Sequence, residues 1–291
     1  MFDLSVDRPA FALPPMACDA HFHIIGDPAR YPFTKTTRYP PPLATADEYK
    51  RFADAVGLER FVLVQPSCFG QDNSCQLDAA KQYGQENCRV VLDLKEGASE
   101  RELAEYHALG ARGIRINQSP TMPPTDAVLE KVQAQMAYWE PRCRELGWSL
   151  DCLFPEWLTK MMLPFLDGLR VPFTIAHMGM NKGYNGVGSD AYRALRDFVA
   201  GGEGYCWIKL TGAYRISLEK DYHDVIPLAR GLIEAAPDRI IWGSDYPHAA
   251  YLHHNTMDQL NLLAAVAPDE ALRRRILVDN PAVLYAFPTK Q

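Results

Sequence analysis

Apolar runs alternate with amphipathic stretches along the whole chain. The runs are Ala17–Ile25, Arg60–Pro66, Cys88–Leu94, Gly110–Gln118, Trp148–Phe154, Pro172–Gly179, Cys206–Gly212 and Arg239–Ser244. Most are continuous rather than alternating, the pattern of parallel strands covered on both faces. Between them lie stretches with helical spacing: Ala46–Val56, Ser74–Tyr83, Glu100–Leu109, Asp126–Leu146, Glu156–Leu166, Asp190–Val199, Leu218–Ala235 and Asp269–Ala286. Thr45-x-x-Glu48 and Ser99-x-x-Glu102 are capping boxes that open two of them, and Gly110 closes the second. Strand–helix alternation predicts βαβ units and a parallel sheet. Eight of each favour an α/β fold of the closed (β/α)8 TIM-barrel type over an open doubly wound sheet. Residues 1–291 read as a single barrel domain, with 1–16 as an N-terminal extension. The Pro-rich stretch 31–42 and the Gly-rich stretch 179–188 read as long loops after the first and sixth strands. In a barrel those ends form the active face, so the reading for 179–188 is a lid or substrate loop.

Composition narrows the class. The chain has 291 residues, 47% of them apolar, and a net charge of −6. That length buries a core without staples, and the charge carries no basic nucleic-acid footprint. An anionic substrate would therefore need positive charge supplied locally. The 7 cysteines are an odd number without C-x-x-C spacing, which argues against a disulfide framework and for a reducing, cytoplasmic location. No signal peptide or apolar membrane span is read. Expected partners are therefore small molecules rather than nucleic acid or membrane, and a homo-oligomer is left open.

Candidate chemistry sits at the strand ends. Asp19-Ala20-His21-Phe22-His23 ends the first run. Residues i and i+2 of a strand share a face, so His21 and His23 point together into a barrel mouth. His177 ends the sixth run and Asp245 follows the eighth, before Tyr246-Pro247-His248. Pro247 favours a turn there over a helix N-cap. One such residue alone reads as structural; three histidines and an aspartate on one rim read as a site. Arg115 and Arg215 end the fourth and seventh runs and suit carboxylate recognition, with a rim salt bridge as the alternative for each. Lys182 and Tyr184 lie on the Gly-rich loop, with plain exposure an equal reading. His248 could orient Asp245 or cap a helix. His253 and His254 point apart as neighbours, and Cys68 has no evident base.

These motifs resemble the amidohydrolase superfamily: D-x-H-x-H near the N-terminus, a strand-end H-M-G, and G-S-D-x-P-H near the C-terminus. Arg38-Tyr39-Pro40, Val64-Gln65-Pro66-Ser67, Asp72-Asn73, Arg112-Gly113-Ile114-Arg115, Tyr222-His223-Asp224-Val225 and Val278-Asp279-Asn280-Pro281 extend the likeness over Cys18–Phe287. They resemble most the branch that contains 2-pyrone-4,6-dicarboxylate lactonases. The resemblance implies a hydrolytic barrel acting on a small anionic lactone. In it Asp245 is the base that activates water, and His21, His23 and His177 polarise the carbonyl or bind a metal. Tyr39, Ser67, Arg115 and Arg215 fall where that branch contacts its dicarboxylate, and Lys182 is a further substrate candidate.

Departures follow. The segment after Arg115 reads Ile-Asn-Gln-Ser-Pro-Thr, where the branch has a further arginine. His177 is followed by Met-Gly-Met-Asn-Lys, and Phe154 stands for an expected tyrosine. The carboxylate grip is thinner and more polar, which suits a hydroxylated sugar-diacid lactone. A lactone isomerase is then the alternative, and a zinc decarboxylase a further one. A binuclear centre is rejected, because no lysine ends the fourth strand and no histidine the fifth. Between no metal and one Zn²⁺ held by His21, His23, His177 and Asp245, the reading favours none: a lactone is an activated ester whose oxyanion imidazoles and cations can hold.

Overall fold

Eight short strands pair side by side in chain order, all parallel: β1 (Cys18–Phe22), β2 (Arg60–Val64), β3 (Cys88–Leu92), β4 (Ala111–Asn117), β5 (Ser149–Leu153), β6 (Phe173–Ile175), β7 (Cys206–Leu210) and β8 (Ile240–Trp242). The computed structural model describes residues 9–35, 37, 41–119, 121–249, 251 and 253–288. Every strand except β4 is buried at all its positions, as the continuous apolar runs require of a sheet covered on both faces. Past the strand ends, Asp245 N–H donates to the His21 carbonyl and His23 N–H to the Tyr246 carbonyl, each at 2.8 Å. These bonds join β8 to β1. Gly243 makes the approach possible: a Cβ there would lie 2.6 Å from the His21 nitrogen. The architecture is a (β/α)8 TIM barrel.

Helices α1 (Ala46–Val56), α2 (Ser74–Tyr83), α3 (Glu100–Ala108), α4 (Asp126–Leu146), α5 (Glu156–Leu166), α6 (Asp190–Gly201), α7 (Ile226–Ala235) and α8 (Thr256–Val266) follow the strands in turn. Both capping boxes form; Thr45 and Glu48 exchange bonds of 3.0 and 3.2 Å. Three expectations differ. The helix expected from Leu218 begins at Ile226, because the Asp224 carboxylate accepts the Leu218 N–H at 3.2 Å and Tyr222 is left-handed at φ 57°. Such a local bond competes with helix. The stretch expected as one helix over 269–286 is α9 (Glu270–Arg274), a π-helical turn (Arg275–Asp279) and α10 (Asn280–Leu284). The third is the stretch 256–266, where no helix is expected and α8 forms; Asn255 caps it through the Met257 N–H at 2.7 Å.

The core has two layers. The larger fills the space between sheet and helices. The smaller lies inside the barrel, where Cys18, Ala20, Val62, Val64, Val91, Trp207 and Ile241 meet Leu284, Tyr285 and Phe287 of the C-terminal segment. Arg89, on β3, donates to the carbonyls of Tyr285 at 3.0 Å and Ala286 at 2.8 Å. Residues 284–287 thus plug one end of the barrel and leave the other, where the strands finish, for the site.

Candidate active site

The β1 strand delivers two histidines to the mouth through an irregular step. Asp19 pairs with Phe61 but Phe22 with Leu63, a register shift within β1. Asp19 and Phe22 both face Tyr49 of α1: the Tyr49 hydroxyl donates to the Asp19 carboxylate, and the Phe22 ring stacks on it at 4.0 Å. The shift re-aims the residues between and after them, as bulges do, so His21 and His23 turn inward. The second Asp19 oxygen accepts the N–H groups of His21 at 3.1 Å and Ser244 at 3.0 Å. Burial raises the Asp19 carboxyl to about 6 against these hydrogen bonds.

His177 and Asp245 are both left-handed, at φ 52° and 58°. Such residues cost about 1–3 kcal/mol and cluster at functional sites. The strand expected to run to Gly179 ends at Ile175 for this reason. His177 is held by Thr211, whose hydroxyl oxygen accepts its N–H at 3.2 Å and lies 2.7 Å from its Nδ1. Gly212 leaves room for the ring; a Cβ there would come within 2.6 Å of Nδ1. Burial drives His177 down to about 3, so the ring is neutral.

Asp245 is the meeting point. Its Oδ1 lies 3.5 Å from both His21 Nε2 and His23 Nε2, and its Oδ2 lies 3.9 Å from His177 Nε2. Oδ2 accepts Arg215 Nε–H at 2.8 Å and the Tyr214 hydroxyl. Burial alone would push the carboxyl up; the Arg215 guanidinium outweighs it and holds it well below the usual carboxylate range. The turn after Asp245 forms as expected, with the His248 N–H on the Asp245 carbonyl at 3.0 Å. His248 itself bonds Thr256 at 3.0 Å and packs edge-on against Tyr214, so it supports Tyr214 and makes no bond to the carboxylate.

A cavity of about 480 Å³ opens above this point. His23, His177, Asp245, Ser67, Arg115 and Arg215 line it. Asn117, Gln118, Ser119 and Thr121 add a polar wall, and Lys131 of α4 adds a cation that the sequence pattern did not single out. His21 is fully buried beneath the lining. Tyr39 lies outside the described residues. Lys182 does not line the cavity: its ammonium donates to the Arg215 carbonyl at 3.0 Å. The Gly-rich loop packs against the segment after β7, with Gly183 N–H on the Ile216 carbonyl at 2.9 Å, and residues 179–188 do not contribute to the lining. Cys68 does line it, and burial pushes its thiol up to about 12, which makes it a poor nucleophile. His254 bonds the Tyr222 hydroxyl at 2.7 Å.

Below the cavity a buried ion cluster crosses the barrel interior. Asp151 of β5 pairs with Arg115 of β4 and Lys209 of β7, and accepts the Thr174 hydroxyl at 2.9 Å. Burial raises the Asp151 carboxyl, but the two cations overcome that and hold it far below the ordinary value. Arg115 thus reaches the cavity while also serving the rim ion pair that was its alternative reading. Among the described residues, the potential ligand atoms of His21, His177 and Asp245 lie within 4.8 Å of one another, close enough on distance alone for a metal-ligand group.

The amidohydrolase family profile matches residues 18–287. The chain belongs to that family. It is 36% identical over 288 residues to the 4-sulfomuconolactone hydrolase of Hydrogenophaga intermedia, covering 96% of this chain and 92% of that protein. It is 31% identical over 292 residues to the 2-pyrone-4,6-dicarboxylate hydrolase of Comamonas testosteroni, covering 96% and 92%. A D-galactarolactone isomerase of Agrobacterium fabrum is 27% identical over 290 residues, covering 96% and 93%. Among the described residues, no helix of this amidohydrolase is long and apolar enough to cross a membrane.

Proposed function

We propose that this amidohydrolase opens a small anionic lactone with water, using Asp245 as the general base. The observation that carries the reading is the convergence of His23, His177 and Asp245 on a cavity whose wall also holds Arg115, Arg215 and Lys131. Three imidazoles, one carboxylate and local positive charge are what acyl transfer to water from an anionic ester needs. Asp245 takes a proton from water as the water oxygen bonds the lactone carbonyl carbon. The carbonyl oxygen becomes an oxyanion beside His177. The ring C–O bond then breaks, and the Asp245 proton passes to the departing alkoxide, giving an open hydroxy acid.

Arg215 has two claims on it. In the free site it holds the Asp245 carboxylate, which makes Asp245 a weak base. A substrate anion that draws the guanidinium toward the cavity frees the carboxylate at the moment water must be activated. Anionic substrates are therefore favoured in turnover as well as in binding.

The chain's residues do not fit a resident metal ion. Asp245 Oδ2 is taken by Arg215 and Tyr214, and His21 Nδ1 faces the Lys209 ammonium at 3.2 Å. Arg115, Lys209 and Arg215 surround the place with positive charge. A divalent ion would meet three cations and an engaged carboxylate, so the reading is metal-independent.

The polar wall of Asn117, Gln118, Ser119 and Thr121 supports a second reading, ring transfer in a hydroxylated sugar-diacid lactone. There Asp245 would take the proton from a substrate hydroxyl in place of water. Proton NMR of a panel of carboxylated lactones, run with and without chelator, separates the two. An open diacid supports hydrolysis, a ring isomer supports transfer, and the absence of both with every lactone would overturn the proposal.

A further inference from the structure

We infer that Lys209 fixes the tautomer of His21, placing its proton on Nε2 toward Asp245, so that His21 is a hydrogen-bond donor there and not a metal ligand. This deepens the proposed reading of the site, since it assigns a positioning residue beneath it. Lys209 is fully buried. An ammonium has three N–H groups and no lone pair. Lys209 Nζ has three polar partners: the Asp151 carboxylate, the Ala20 carbonyl at 3.1 Å and His21 Nδ1 at 3.2 Å. The first two only accept. The third N–H therefore meets Nδ1, which must present its lone pair.

A neutral imidazole carries one proton, so in His21 it sits on Nε2. That atom faces Asp245 Oδ1 at 3.5 Å and has no other hydrogen-bond partner among the described residues. His21 is neutral because an imidazolium would set an Nδ1–H against the N–H of the Lys209 ammonium 3.2 Å away. The ammonium form of Lys209 is balanced locally: the buried cations Arg115 and Lys209 and the partly exposed Arg215 stand against the buried carboxylates Asp19, Asp151 and Asp245. An uncharged amine would reverse the assignment, since its lone pair would call for a proton on Nδ1.

His23 is set the other way. Its Nδ1 lies 2.7 Å from the Val64 carbonyl, which only accepts. In its neutral form His23 thus presents a lone pair at Nε2. The two imidazoles equidistant from Asp245 Oδ1 are then unlike, one donor and one acceptor. A metal ion would need the lone pair that His21 does not offer.

The test is a long-range ¹H–¹⁵N spectrum of metal-stripped protein labelled in its histidine rings, recorded without substrate at neutral pH. The His21 signals are assigned by their loss in His21→Gln. The expected result is a proton on Nε2 alone. A proton on Nδ1, or on both nitrogens, overturns the inference. Because no substrate is present, failure of the lactonase reading leaves this result untouched. Lys209→Met should then lower kcat about 10- to 100-fold, as loss of an orienting partner does, with KM nearly unchanged and the His21 signals no longer those of Nε2–H. Lys209→Gln, whose amide can still donate to Nδ1, should restore the wild-type pattern. A Lys209→Met protein that keeps the Nε2–H pattern also overturns the inference. If Lys209→Met does not fold, the wild-type spectrum decides alone.

Discussion

Replacing Asp245 by Asn removes the base and one negative charge while keeping the shape of the side chain. The wild-type carboxylate bonds Arg215 Nε at 2.8 Å through Oδ2 and presents Oδ1 between His21 and His23 at 3.5 Å. An amide cannot take the proton from water. Loss of a positioned general base costs about 10²–10⁴ in rate, or about 3–5 kcal/mol of transition-state stabilisation. The substitution also releases Arg215, which lines the cavity, from its carboxylate partner. The open hydroxy-diacid product should therefore bind Asp245→Asn at least as tightly as it binds wild type. Initial rates by NMR and product binding by calorimetry check both parts on one preparation. A kcat within about tenfold of wild type removes Asp245 from the role of base. A large rise in the product Kd would show instead that Asp245 serves binding.

Other expectations follow from the same geometry. Lys182→Ala should leave KM within about threefold of wild type, since its ammonium bonds a backbone carbonyl and does not line the cavity, and surface changes of that kind stay near ±0.5 kcal/mol; a tenfold rise would return Lys182 to the substrate. Gly243→Ala should lower stability by about 1–3 kcal/mol, because the new Cβ meets the His21 nitrogen at 2.6 Å; urea unfolding with an unchanged midpoint would contradict the seam between β8 and β1. Acid should destabilise the fold between pH 6.5 and 4. Folded His177 and His248 protonate only near 3 and 4 against an ordinary 6.5. In that window the unfolded chain takes up protons that the folded one refuses, and stability drops as the pH is lowered. Asp19, raised to about 6, and Asp93, also raised by burial, work the other way, but His21, His107 and His254 are held down by burial as well. Thermal melts that improve from pH 6.5 to 4 would show the sign to be wrong.

The strand order and the convergence at Asp245 were legible because the physics behind them is local. Buried parallel strands are apolar at most positions, and a strand end places its last side chains at the barrel mouth. Other parts were hidden for equally physical reasons. Two histidines spaced i, i+2 share a face, yet here they turn inward only because an irregular step in β1 re-aims them, and no residue pattern marks such a step. His177 was legible as a residue but not its left-handed backbone, so its strand was drawn too long. Asp151 and Lys209 sit inside Ser-Leu-Asp-Cys-Leu and Cys-Trp-Ile-Lys-Leu. There the apolar run conceals them, although a charge in the middle of a doubly covered strand must find a partner. That cost was the available signal for the ion cluster. Lys131 lies on an exposed helical position, where the pattern carries nothing. Lys182 was drawn toward the site by its loop, and the loop packs against the segment after β7 instead.

The central claim is that water, activated by Asp245 without a metal ion, opens an anionic lactone in this cavity. Turnover of a carboxylated lactone by chelator-treated protein in H₂¹⁸O, read by mass spectrometry, tests it directly. The account predicts an open diacid carrying one ¹⁸O in the carboxyl group newly formed. A lactone isomer free of ¹⁸O, or turnover that returns only when Zn²⁺ is added, would contradict it.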